Sequence, residues 1–542
     1  MDTITPQKRS TATASRHTST SNNLNLIFGL EHEFLVLDSQ RLNYETQQKA
    51  AHGLSLISEA LQSPLQVTCS ACGRVHDSDL SPLVQHKAND NSDHSYWNLV
   101  VDTSIKLSTR QDATLRENGC EAYGVELTSR VLSAEQNKPT TKPKAQARHV
   151  HTATYQEEIS QFINKMNQLF TPQGPVVGSR QERRVAVNDS CSLHVHIGNG
   201  TAGFELQTVK NLLSICTAFE RVMDSMHAKS RIGCSGLAFS SLDDDIFEDN
   251  ADIMTVTKDG KLFGGYNRSL TERMYSNAYV TRRNNRQTPL LEEAASGYHT
   301  MAFFDVIQQA SDIESLQQLM SLCCETNVNI LHLVVNEGEN VNEERNYRRL
   351  NTIEFRQHAA VTNPKDALAW IDFLQTLVKY AHSQSAECIR STCESVASDP
   401  GFDLAAMFRL LGVEQETQHF YLSRSKESIQ AAFGLARAEA ETLNSDDPFR
   451  AILLELINER AADHDPENVA NTIKEKFAQG GYGQFTREFI DAYAPHLCDE
   501  VKESLTIGWV MLASKDFGSE DGADHMLIVD DDELVENDEL LA

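Results

Sequence analysis

Gly29-Leu30-Glu31-His32-Glu33-Phe34-Leu35-Val36 sets ionisable residues two apart with apolar ones nearby. Side chains of a β-strand alternate between its two faces, so Glu31 and Glu33 point the same way. Three other stretches follow the same rule. They are Gly124-Val125-Glu126-Leu127, Leu193-His194-Val195-His196-Ile197 and Ile353-Glu354-Phe355-Arg356-Gln357-His358. Parity puts His194 and His196 opposite Leu193, Val195 and Ile197, and it groups Glu354 with Arg356 and His358. Four such strands predict a sheet with one side packed on helices and the other carrying carboxylates, imidazoles and a guanidinium. Carboxylates crowded on one face repel each other and resist desolvation. A divalent cation with a polyanionic ligand is the simplest compensation, which reads as a metal–nucleotide site.

The chain has 542 residues, 40% of them hydrophobic, with three tryptophans, enough for large buried cores and for several domains. Its formal net charge of -29 argues against nucleic-acid and anionic-membrane partners, which would repel it. No apolar run reaches the roughly 20 residues of a membrane span. Residues 1–23 are rich in Ser, Thr, Asn and basic side chains without an apolar core, and are expected to be a disordered tail rather than a leader. The eleven cysteines are scattered without a repeating spacing, which fits a reducing compartment and a cytoplasmic location.

Helical spacing follows or precedes the motif strands. Residues 47–61, 155–170 and 204–226 each carry an apolar stripe. Asn363-Pro364 reads as a capped helix start. From about Ser383 the pattern is helical throughout, and beyond Lys515 there is no Lys or Arg, while acids accumulate from Asp530-Asp531-Asp532-Glu533. The expected organisation is a tail (1–23), a catalytic body (24–385), a helical region (386–514) and an acidic disordered tail (515–542).

Each motif also has a plainer reading. Glu31 and Glu33 could be ordinary surface carboxylates, whereas a metal role would favour Mg²⁺, with some tolerance of Mn²⁺ where an imidazole joins. His194-Val195-His196, after the polar turn Asn188-Asp189-Ser190-Cys191-Ser192, suits metal ligation, phosphate contact or a structural pair. Glu354 and Arg356 could be a simple ion pair; beside metal ligands, Arg356 would instead face a transferring phosphoryl group. A basic approach of Arg345, Arg348 and Arg349 precedes them, and Arg282, Arg283 and Arg286 form a second cluster that reads as a solvated loop. Cys69-Ser70-Ala71-Cys72 with His76 and His86 lacks a second Cys pair at zinc-ribbon spacing. Gly480-Gly481-Tyr482-Gly483 lacks the Lys-Ser/Thr of a phosphate loop. Cys323-Cys324 falls on an apolar helical stripe.

In this order, E-x-E, a lone Glu strand, H-x-H and E-x-R, the set resembles the glutamine synthetase and glutamate–cysteine ligase superfamily, and within it the amidoligase branch of carboxylate–amine ligases. The resemblance spans Leu26 to Ala386. It implies an α+β fold, a glutamine synthetase-like domain with a curved, mainly antiparallel sheet backed by helices, followed by the helical C-terminal region. It also implies ATP and Mg²⁺ (or Mn²⁺) as cofactors. Glu33 and Glu126 would hold one ion, and Glu31, His194 and Glu354 the other. His196 would line the pocket, and Arg356 would stabilise the phosphoryl group, with Arg348 and Arg349 near the nucleotide. Where the superfamily's glutamine synthetases have a further glutamate downstream of the lone-Glu strand, only Glu135 stands here, and Asp189 and Ser192 replace glycines before H-x-H.

The implied chemistry is amide formation in water: ATP converts a carboxylate to an acyl phosphate, which an amine then attacks. Partners would be small-molecule or peptide carboxylates and amines, with no nucleic acid and no membrane. Two other readings compete, a transition-metal hydrolase or oxygenase built on His194 and His196, and a non-catalytic descendant that binds a nucleotide or a partner protein.

Overall fold

In the computed structural model, residues 24–39, 54–68 (without 56 and 60), 73–78, 84–86, 94–134, 153–170, 183–232, 255–256, 262–263, 300–319, 327–333, 350–398 and 402–478 (without 446) are described. The E-x-E stretch lies in β1 (Leu26–Asp38), a 13-residue strand. Alternation of Leu26, Phe28, Leu30, Phe34 and Val36 along it gives an apolar face, all five buried, interrupted by buried His32, whose Nε2 lies 2.8 Å from the Val361 carbonyl oxygen. The other strands in chain order are β2 (Gln66–Thr68), β3 (Val75–Asp77), β4 (Val84–His86), β5 (Trp97–Val101), β6 (Glu121–Thr128), β7 (Leu132–Ser133), β8 (Arg183–Ala186), β9 (Ser192–Asn199), β10 (Thr255–Val256), β11 (Leu262–Phe263), β12 (Val328–Asn329) and β13 (Thr352–Ala359).

The four motif strands are neighbours. The main sheet runs β12-β13-β9-β1-β6-β5-β4, with β7 and β8 added to β1, and every pairing is antiparallel except β4 with β5. Strand β1 is covered on both edges. β9 pairs with Leu26–His32 and β8 with Leu35–Asp38 on one side, while β7 pairs with Ile27–Phe28 and β6 with Glu31–Asp38 on the other. A strand paired on both edges leaves few backbone donors unsatisfied. The protein is thus α+β with a mostly antiparallel open sheet, as expected from sequence.

Helices fill the apolar side. In chain order they are α1 (Thr109–Glu117), α2 (Tyr155–Phe170), α3 (Leu206–Asp224), α4 (Thr300–Gln309), α5 (Ile313–Leu319), α6 (Pro364–Ser383), α7 (Ala386–Ser398), α8 (Leu404–Leu411), α9 (Gln415–Leu422), α10 (Lys426–Glu441), α11 (Arg450–Asp463) and α12 (Pro466–Ala478). The stripes read in residues 155–170 and 204–226 become α2 and α3. Helix α6 starts where Asn363-Pro364 predicts, the Asn363 side chain accepting from the Lys365 N–H at 3.0 Å. Val195, Ile197, Ile353 and Phe355 from the sheet join Ile159, Phe162, Val209, Leu212, Trp370 and Leu374 from the helices in one core.

Past Glu33, the same face of β1 turns apolar. Leu37, of the same parity, packs in a second cluster with Leu115 of α1 and Ile452 and Leu456 of α11. Arg184 binds Asp447 at 3.1 Å, and Gln111 Nε2 donates to Glu459 Oε2 at 2.7 Å. The C-terminal helical region therefore packs on this end of the sheet. No helix among the described residues is long and apolar enough to cross a membrane.

One expectation of parity fails. The register of β13 on β9 shifts between Phe355 and His358, so His358 comes opposite Leu193 rather than joining Glu354 and Arg356. A bulge adds residues to one strand and so flips the side chains beyond it. His358 is buried on the helix side, its ring 5.6 Å from Trp370 and 5.7 Å from His227. Burial, then the charges of Arg424, Arg231 and Arg460, lower its pKa to about 4, despite the hydrogen bond from Nδ1 to the Ala359 carbonyl. Burial also holds His227 well below the ordinary range, with His358 and Arg424 adding to it.

Both imidazoles are neutral in the fold but regain a pKa of ~6.5 on unfolding. The unfolded chain then binds more protons below that pH, so stability falls as pH drops from about 6.5 towards 4. Urea unfolding followed across this range should show that loss, and His358→Gln should flatten it. An equally steep decline in the variant would show that His358 does not carry it.

Candidate active site

The site grows from register. On β1 and β9, Glu31 lies directly opposite His194, and Gly29 opposite His196. On β6, Glu126 lies opposite Glu33, and on β13, Glu354 lies opposite His196. Four strands thus bring Glu31, Glu33, Glu126, His194, His196 and Glu354 to one patch of one face. Arg356 lies within the register shift between Phe355 and His358; its guanidinium bonds Glu354 Oε1, and its backbone N–H donates to the Asn327 carbonyl at 2.9 Å.

His194 stands at the centre. Its Nδ1 is 3.0 Å from Glu31 Oε2 and 3.6 Å from Glu354 Oε1, and its Nε2 is 3.6 Å from Glu33 Oε1. His196 Nε2 lies 3.0 Å from Glu31 Oε1. Asn329 of β12 donates to Glu354 Oε2 at 2.8 Å. The Ser192 N–H donates to Glu33 Oε2 at 2.7 Å, and Thr128 Oγ1 to Glu126 Oε1 at 2.7 Å. The turn before H-x-H is itself clamped. Buried Arg231 donates to Ser192 Oγ at 2.7 Å and to the Asp189 and Cys191 carbonyls at 2.5 Å each. Asp189, Cys191 and Ser192 are therefore held together by one guanidinium fork.

Two residues in the patch escaped the sequence reading. Asp102 follows β5, and its carboxylate gathers with those of Glu33 and Glu126. His332, in a short 3₁₀ turn (Leu331–Leu333), lies 3.4 Å from Glu354 Oε2, with its ring 5.1 Å from that of His196. Asn351 turns the chain into β13 with a left-handed φ of 54°, and its N–H bonds the His332 carbonyl at 3.1 Å, tying that turn to the strand. The only sequence hints were an Asp just past an apolar strand and an isolated His, and neither hint names a partner.

Electrostatics divides the carboxylates. Burial raises Glu126, and Glu31, Glu33 and Asp102 push it further, with Thr128 opposing, so its pKa stands well above the usual range. Burial would raise Glu31 too, but His196 and His194, through charge and hydrogen bonds, hold it well below. Glu354 is lowered against burial chiefly by Arg356, then by His332 and His196. Arg356 is raised, the charges of Glu354, Glu31 and Glu33 outweighing its burial.

Ligand atoms fall into three groups, each within 4.8 Å: Glu31, His194 and Glu354; Glu33, Asp102 and Glu126; His196, His332 and Glu354. Carboxylate oxygens with one imidazole suit Mg²⁺ or Mn²⁺. His194 Nε2 is buried without a hydrogen-bond partner, as a ring nitrogen beside a cation would be. The donor set therefore fits a divalent ion. Arg348, Arg349, Arg345, the Arg282–Arg286 cluster, Glu135, Cys69, Cys72, Cys323-Cys324, residues 480–483 and both tails lie outside the described residues.

An α+β protein with a carboxylate–imidazole–guanidinium face on an antiparallel sheet is, by its chemistry, a candidate for catalysis on anionic substrates. Residues 25–235 match the model of a family described as "Putative amidoligase enzyme". The description names an enzyme and a ligase. The match takes in β1, β6 and β9 and ends before β13, so Glu354 and Arg356 reach the site through strand pairing outside the matched segment. Among curated proteins no match to the chain was found.

Glu31 supplies both a charge and a hydrogen bond to His196, whose pKa is raised even though burial opposes it. Glu31→Gln in protein freed of metal should therefore lower the His196 pKa, read by NMR titration of its ring nitrogens. An unmoved titration would mean that Glu31 does not set the charge of this imidazole.

Proposed function

We propose that the protein is an ATP-dependent carboxylate–amine ligase that works through an acyl phosphate and uses Mg²⁺ or Mn²⁺. The observation that carries this reading is the convergence of Glu31, His194 and Glu354 beside Glu33 and Glu126 on one sheet face, with Arg356 at its edge. Together with the family match, that set supports amide formation over simple hydrolysis, because hydrolysis leaves Arg356 and one carboxylate group without a task.

Glu31, His194 and Glu354 would hold one cation and Glu33 and Glu126 a second, where bound ions neutralise phosphate charge. Arg356 is anchored by Glu354 and presents a fixed guanidinium to the transferring phosphoryl oxygens, where preorganised charge acts without reorganisation. His196 is kept cationic more readily by Glu31 and would line the phosphate or substrate pocket. The Ser192–Glu33 hydrogen bond and the Arg231 clamp fix the turn that carries H-x-H. Packing of α11 and α1 over the Leu37 end would help to exclude water, which would otherwise consume an acyl phosphate. The amine and carboxylate would be small molecules or peptide ends, and the expected setting is the cytoplasm.

A second reading follows from the His196–His332–Glu354 group. Two imidazoles and a carboxylate suit a transition metal and would serve a hydrolase or oxygenase indifferent to ATP.

Calorimetric titration of ATP with and without Mg²⁺ separates the two. Mg²⁺-dependent binding should be seen, weakened at least roughly tenfold in Glu31→Gln/Glu354→Gln. ADP release in a carboxylate–amine screen should then fall roughly 10²–10³-fold in Arg356→Ala. Absence of ATP binding under any cation, with tight Zn²⁺ or Fe²⁺ uptake lost in His332→Ala, would replace the ligase reading with the second one.

A further inference from the structure

We infer that Asp102 is the third carboxylate of the cation centre formed by Glu33 and Glu126, and that Gly124 is what lets it reach them. The inference rests on the proposed ligase reading for the presence of cations on this face, and it assigns a ligand that neither the motifs nor the family match supplies. The motifs call for a glutamate downstream of Glu126; the fold supplies an aspartate from upstream.

Strand β5 runs antiparallel to β6, with Val100 opposite Glu126 and Val101 opposite Val125. Just past this pair the Asp102 N–H donates to the Gly124 carbonyl at 3.1 Å, and the chain folds back over β6. That crossing is close. A Cβ at residue 124 would stand 2.3 Å from the Asp102 carbonyl oxygen, 2.5 Å from Ile105 Cβ and 2.8 Å from the Ile105 carbonyl oxygen. Two of these atoms belong to backbone and cannot swing aside, so any side chain at position 124 pushes the segment away. Asp102 Oδ1 then accepts from the Ser104 N–H at 2.8 Å and from Ser104 Oγ at 2.7 Å, which fixes the carboxylate's rotation. Its oxygens lie within 4.8 Å of those of Glu33 and Glu126.

Three carboxylates at that spacing are mutually repulsive, and an independent feature marks what they surround. Buried His194 Nε2 faces Glu33 Oε1 at 3.6 Å with no hydrogen-bond donor or acceptor paired to it. A ring nitrogen turned towards carboxylates without a bond is the arrangement expected beside a cation. The two centres are then chemically unlike. A neutral imidazole has one lone pair, so His194 serves one centre at a time, and the centre at Glu33 is dominated by hard oxygen and suits Mg²⁺ or Mn²⁺ with little competition from softer metals.

The test is Mn²⁺ uptake by the purified full chain, followed by calorimetry and by the EPR signal of free Mn²⁺, without nucleotide or substrate. Wild type should show two classes of site. Asp102→Asn should weaken one class at least roughly tenfold and spare the other, and Glu31→Gln should do the reverse. Gly124→Ala keeps every carboxylate yet should lose the same class as Asp102→Asn, with circular-dichroism melting confirming that each variant is folded. Unchanged Mn²⁺ binding in folded Asp102→Asn would overturn the inference while leaving the ligase reading standing. No Mn²⁺ uptake by wild type would defeat the cation reading itself, and the inference with it.

Discussion

Carboxylate repulsion is the constraint around which this fold is arranged. Glu31, Glu33, Glu126, Glu354 and Asp102 meet on one sheet face, Glu33 and Glu354 buried and the other three half-buried, with Arg356 as the permanent counter-charge beside them. Left in water, each would be well solvated; held together, Glu126 resists ionising, while Glu31 and Glu354 ionise readily only because imidazoles and Arg356 stand beside them. A fold tolerates such a cluster only if rigid neighbours prevent it from splaying and if opposite charge enters it. The strand pairing supplies the first, because four antiparallel neighbours fix where each side chain points. Arg356 and His196 supply part of the second, and a divalent cation is the remainder we propose.

Much of this was legible in the sequence because strand parity is a strict rule. Spacing of two placed Glu31 with Glu33 and His194 with His196, and the structure brings both pairs to the same face. Apolar stripes gave α2 and α3, and the Asn363-Pro364 start gave the α6 boundary. Strand order was not legible, since nothing local in the Glu126 segment says that it pairs with Glu33. The short strands β7, β8 and β12 carry too few residues to show a period, although they cover the edges of β1 and β13.

Failures of the sequence reading have local causes. His358 obeyed parity on paper, but the bulge after Phe355 sends it to the helix side, among His227 and Trp370. Bulges leave no signature in a hydrophobic alternation. Asp102 and His332 arrive from turns, and their positions depend on a close backbone crossing at Gly124 and on the left-handed Asn351. A glycine next to a motif can be read as a turn or as a flexible spot; only the neighbouring chain shows that it is a gap into which another segment fits. Ser192, read from sequence only as part of a polar turn, holds Glu33 through its N–H and is held by Arg231 through its hydroxyl.

Pairing of β1 on both edges has a consequence for timescale. Amides locked between two neighbours open for solvent exchange only when a large part of the sheet opens with them. Glu31 and Glu33 therefore ride on what should be among the most slowly exchanging backbone in the molecule, whereas Asp102 and His332 ride on turns that can relax on their own. The site is divided into a stationary rail and two adjustable arms. Local opening can therefore reach the two arms, while the rail that positions the chemistry opens only with the sheet.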